Sequence, residues 1–189
     1  MIDRFENTNT TIHPLMFVLW LGMAGIVMLF GALTSAYIVR QSAGNWLEFQ
    51  LPSLFQWSTL VIVISSVMLH LSYLGFRHRK LKQYRIGLLT SFLLGIIFLV
   101  LQYMAWMTLY SRGIQLTGNP SGSFVYVMTA IHALHLVSGL LAIAVAIFHA
   151  FRLPYEITQK RVDRFKLVLY YWHFLAGLWI YLYLFLNIM

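Results

Sequence analysis

The chain has 189 residues, of which 60% are hydrophobic, 16% aromatic and only 10% charged, and its mean hydropathy is +0.76. A globular domain is about a quarter charged, so a water-soluble fold and a disordered chain are excluded; having no cysteine excludes a disulfide scaffold, iron–sulfur clusters and thiolate zinc sites. A net charge of +8 points to nucleic acid only when the basic residues share one folded face.

They do not. Charges are absent from five stretches, about 15–39, 56–76, 86–111, 123–151 and 167–189. Each reaches the roughly 20 apolar residues that cross about 30 Å of hydrocarbon as a helix. The expectation is an all-α membrane protein: a short N-terminal segment, 1–14, then one bundle of five transmembrane helices over 15–189. No internal repeat or second domain is visible.

Pro14, after Thr10, Thr11 and His13, suits the start of the first span. The leader 1–13 carries two acids and one arginine, and the apolar run after it is too long for a signal-peptide core, so it reads as a retained helix. Its small residues are Gly22, Gly25, Gly31, Ala32, Ser35 and Ala36, with Gly31/Ser35 and Ala32/Ala36 at the spacing that lets helix backbones approach closely. Leu51-Pro52-Ser53 leads into the second span, which carries His70 and ends in Arg77, Arg79, Lys80, Lys82 and Arg85.

The third span is free of charge, and Gly118-Asn119-Pro120-Ser121-Gly122 breaks the chain after it. On the fourth, Ala130, Ser138, Ala142, Ala146 and Ala150 form a second small-residue stripe interrupted only by Leu134, beside His132, His135 and His149. Arg152, Lys160, Arg161, Arg164 and Lys166 precede the fifth span, which carries His173. Both stripes are read as packing within the bundle or as a seat for a partner subunit; the residues leave the two open.

Eleven lysines and arginines fall on the side of the N-terminus and the two basic connections, against Arg40 and Arg112 opposite. The positive-inside rule places the N-terminus in the cytoplasm and Met189 outside. The charge is then a topology signal, nucleic acid drops out, and anionic lipid headgroups become the expected contact of the basic loops. Aromatics near the boundaries, including Trp46, Trp57, Trp106, Tyr110 and Trp179 on one side and Tyr84, Tyr170, Tyr171 and Trp172 on the other, read as interfacial anchors.

An ionisable residue inside a membrane is a functional candidate. Here the inventory is His70, His132, His135, His149 and His173, with no acid, lysine or arginine. That argues against a proton or ion relay, and a transporter is further weakened by the lack of repeats and broken helices. His132 and His135 share one helix face and cannot grip one haem from both sides. His70, His149 and His173 lie toward one leaflet on three helices, so a bis-His haem b cytochrome is the competing reading. Hydrogen bonding between helices is the plainer role of all five.

Several runs resemble subunit III of haem–copper terminal oxidases in its short five-helix bacterial form. The fourth span carries Phe124, Thr129, His132-x-x-His135 and Gly139; the fifth carries Tyr171-Trp172-His173-Phe174 and Trp179. Val27 to Leu33 with Ala36-Tyr37, Ser65 to His70, and Gln102 with Trp106 resemble the earlier helices. The resemblance implies an accessory subunit of the bacterial inner membrane with no redox centre of its own. It packs against the catalytic subunit I, which holds haems and copper, alongside subunits II and IV, and phospholipid is a further expected ligand. Either cytochrome c or quinol fits as donor. The family commonly has acids where Ile26, Ala105 and Ala176 stand here. Their joint loss is expected to replace a linked polar network with apolar packing, and surface proton collection is left to His78, Glu156, Asp163 and the loops.

Overall fold

A computed structural model of the protein describes residues 14–189, so Thr10, Thr11 and His13 lie outside the described residues. It contains five helices, α1 (Pro14–Ser42), α2 (Leu54–Arg77), α3 (Leu81–Ser111), α4 (Pro120–Arg152) and α5 (Gln159–Ile188). All five are long and apolar enough to cross a membrane. The helices exceed the charge-free stretches at nearly every end. α5 begins at Gln159 rather than near 167, taking Lys160, Arg161, Asp163, Arg164 and Lys166 into its first two turns. Absence of charge marks the part inside hydrocarbon, whereas a helix continues until a cap ends it.

The caps are local. Asn119 precedes Pro120 and accepts from the Ser121 amide at 3.0 Å, an N-cap followed by proline at N1. Asn119 also binds Leu47 and Asn45 across the neighbouring loop, at 3.3 and 3.1 Å. Thr158 caps α5 by accepting from the Arg161 amide. The α2–α3 turn uses Arg79 at φ 59°, and the Lys80 amide closes onto the Gly75 carbonyl at 2.9 Å.

α2, α3, α4 and α5 form a closed ring in which each helix touches the next, and α1 lies outside it against α4 and α5. The α2–α3 seam is the tightest, and its cause is visible in the residues. Ser58, Ser65 and Ser72 recur every seven positions, the coiled-coil period, and all three are fully buried. Ser72 donates to the Tyr84 carbonyl at 2.7 Å and Ser65 to the Ser91 carbonyl at 2.8 Å, while Gln102 donates to Ser58 at 2.9 Å. A Cβ on Gly87 would sit 2.7 Å from Ser72 Cβ. Small side chains thus let two backbones close where lipid supplies no hydrophobic drive.

Candidate functional site

Trp172 and Trp179, one of them read as an anchor at each interface, are instead among the most buried side chains. They lie seven residues apart on α5, on the face turned into the ring, which outweighs the interfacial preference of an indole once its N–H has a partner. Trp172 Nε1 donates to Ser65 Oγ at 3.2 Å, and Trp179 Nε1 to Thr59 Oγ1 at 2.9 Å. The Trp172 ring fills a slot between Gly95 on α3 and Gly139 on α4. α5 is thereby keyed to three helices.

His132 packs among Phe30, Phe98 and Trp179, with ring centroids 6.4, 6.0 and 5.2 Å away. Among the described residues neither of its nitrogens has a hydrogen-bond partner, and Gln102 Oε1 is likewise unpaired. The expectation that every intramembrane histidine bonds another helix is therefore corrected at His132: its neighbours are aromatic rings. His135 is tied within α4, Nδ1 to the Ile131 carbonyl at 2.8 Å. Trp106 Nε1 donates to Thr129 Oγ1 at 3.0 Å, joining α3 to α4, and Phe174 on α5 is half-buried against the core.

The three positions at which the resemblance implied acids elsewhere are apolar and face the core here. Ala105 and Ala176 are buried, and Ile26 packs against the core.

His70 and His173 do meet, Nδ1 to Nε2 at 3.4 Å, and Ser66 bonds His173 Nδ1. They border an open groove of about 390 Å³ between α2 and α5 whose floor includes Ala176 and Gly177. His149 is elsewhere, in a groove of about 460 Å³ at the basic end with Ala142, Ala146, Arg161 and Arg164. The three histidines of the haem reading do not converge, and two nitrogens in hydrogen-bond contact leave no room between them for a metal with axial ligands on opposite faces. Among the described residues, no group of three or more His, Asp or Glu side chains is placed to hold a metal ion. At the mouth of the basic-end groove, burial lifts the Tyr155 phenol above its ordinary 10, with Arg79 pulling the other way.

The small-residue stripes divide. Gly31, Ala32, Ser35 and Ala36 on α1 are all exposed, and a Cβ on Gly22, Gly25 or Gly31 would meet nothing within 4 Å. Only Met23, Phe30, Thr34 and Tyr37 of the 29 residues of α1 are buried. On α4, Ser138 is exposed but bonds Tyr171 Oη at 2.7 Å, while Ala142 and Ala146 are half-buried and line the basic-end groove. The sequence missed the heptad serines, whose signal was their spacing, and the glycine slot, whose residues are 44 positions apart and gave none.

Fold and site together define a multi-pass helical membrane protein knitted by tryptophan, serine and glycine contacts. Residues 45–189 match the family model of cytochrome c oxidase subunit III. The chain is 27% identical over 174 residues to cytochrome bo(3) ubiquinol oxidase subunit 3 of Buchnera aphidicola, covering 89% of this chain and 88% of that one. It is 27% identical to cytochrome c oxidase subunit 3 of Thermostichus vulcanus, covering 86% and 81%, and 28% identical to a probable cytochrome c oxidase subunit 3 of Mycobacterium bovis, covering 88% and 82%. The chain belongs to the cytochrome c oxidase subunit III family. It is a subunit III of a haem–copper oxidase and associates with other subunits of that complex.

Proposed function

We propose that the protein is the accessory, non-catalytic subunit that packs against the catalytic subunit I and stabilises it, with subunits II and IV completing a respiratory complex that reduces oxygen to water. Haems and copper belong to the partner subunits, and this chain contributes helix surface. The complex sits in the bacterial cytoplasmic membrane with both basic connections inward, as the excess of arginine and lysine there supports. Cytochrome c is the donor, in keeping with the family model; quinol is the second reading, favoured by the bo(3) relative.

The observation that carries the proposal is α1. It is a full-length span whose Gly22, Gly25 and Gly31 have open space around them and whose Ala32 and Ala36 are exposed among the described residues, and such faces serve close helix contact in membranes. Phospholipid is a further ligand: the basic-end groove sets Arg161 and Arg164 beside apolar Ala142 and Val145, cation at headgroup level and hydrocarbon beneath. Deleting the gene and purifying the oxidase tests the function. The expected result is a complex that still turns over but loses activity faster on heating or in detergent; equal lifetimes would contradict the stabilising role.

A further inference from the structure

The groove between α2 and α5 carries a polar feature that the outer face of α1 lacks. Ser66, His173 and His70 form a hydrogen-bonded row across the seam, and its direction follows from the serine. A serine within a helix ordinarily gives its hydrogen to a carbonyl three or four residues back, as Ser58 and Thr59 both do to Phe55. Among the described residues Ser66 makes no such bond; its hydroxyl meets His173 Nδ1. With Ser66 donating, Nδ1 is the acceptor nitrogen and the His173 proton sits on Nε2. Nε2–H then donates to His70 Nδ1 at 3.4 Å, which leaves the His70 proton on its own Nε2. The row ends in an N–H donor, on an exposed side chain at the groove.

His70 lies seven residues before Arg77, about 10 Å into the apolar part of α2. Acyl chains offer no acceptor at that depth, and an unsatisfied donor in hydrocarbon is unfavourable by several kcal/mol. Intramembrane histidines accordingly face protein or water and pair with a polar group. The groove suits a helix: Val63, Val67, Leu71 and Ile180 wall it, and Ala176 and Gly177 keep its floor low. A Cβ on Gly177 would meet nothing within 4 Å, so space remains there for another backbone to approach.

We infer that the α2/α5 groove seats a transmembrane helix of a neighbouring oxidase subunit, one that presents a hydroxyl, amide or carboxylate oxygen to His70 Nε2–H. This rests on the proposed role as a packing subunit and assigns it a particular face.

The test is a photo-cross-linking side chain placed at Val67 in the intact complex in native membranes, with Met28 on α1 and Leu93 on α3 as comparison positions. Val67 should capture another oxidase subunit and Leu93 only lipid. His70→Leu should reduce the Val67 adduct roughly three- to fifteen-fold, the range spanned by interhelical hydrogen bonds in membranes, and His70→Gln, which keeps an N–H donor, should restore part of it. Gly177→Leu should abolish it without lowering the melting temperature of the isolated chain, because the added side chain enters open space. Capture of lipid alone at Val67 with a subunit captured at Met28 would overturn the assignment and leave the packing role standing. Capture at neither position would overturn both. A Val67 adduct unaffected by His70→Leu would remove the hydrogen bond from the account.

Discussion

Gly139 lies against the Trp172 indole: a Cβ added to the glycine would stand 3.0 Å from the indole Cε3 and 3.0 Å from Leu175 Cδ1. Gly95 closes the other side, its Cβ position 2.9 Å from Trp172 Cη2. Both glycines thus press on the six-membered ring of the indole. Gly139→Ala gains up to about 1 kcal/mol of helix propensity, but overpacking a filled core is unfavourable by about 1–3 kcal/mol. The expected outcome is a lower melting temperature of the isolated chain in detergent. Gly25→Ala, with open space around it, should raise that temperature, and the pair of measurements checks the slot.

Trp172→Phe keeps most of the ring and removes the donor to Ser65. Ser65 retains its bond to the Ser91 carbonyl, so no buried group is stranded. The loss should be about 0.6 kcal/mol, the typical size of an interhelical hydrogen bond in a membrane, plus the volume of the missing ring. Trp172→Ala should be far worse, about 3–5 kcal/mol from the cavity. Unfolding of the purified chain in mixed micelles distinguishes the two.

His132 reads in the opposite sense. Among the described residues its nitrogens bond nothing, and three aromatic rings pack around it. Replacing an unpaired buried polar group by an apolar one of similar shape is neutral or favourable, so His132→Phe should leave the melting temperature unchanged or raise it. A drop corresponding to more than about 1 kcal/mol would reveal a hydrogen-bond partner supplied by another molecule.

Ala105 is fully buried, and no lysine or arginine occupies the membrane-spanning core to meet a carboxylate there. Ala105→Glu alone should lower the yield or thermal stability of the complex, because an unpaired buried carboxyl is unfavourable by several kcal/mol. Unchanged stability would count against the idea that Ile26, Ala105 and Ala176 replace a linked polar network as a set.

Much of the fold was legible because charge and hydrocarbon exclude one another. The gaps between Glu48 and Arg77, or Arg112 and Arg152, bracket spans without any knowledge of packing. The start of α5 was not legible, since Lys160 to Lys166 look like a loop by charge and are held helical by the Thr158 cap. Trp172 and Trp179 were misplaced because an indole suits both an interface and a core, and only the three-dimensional partners Ser65 and Thr59 decide between them. The meeting of His70 and His173 depends on α2 and α5 being neighbours, a fact of topology that no local pattern carries.

The most direct test of the central claim, that this chain holds a neighbour in place and has no redox chemistry of its own, is the visible spectrum and metal content of the protein purified without its companions. The account predicts no Soret band and no stoichiometric iron or copper, with both present in the intact oxidase. Haem or copper bound one-to-one to the isolated chain would contradict it and make ligands of its histidines.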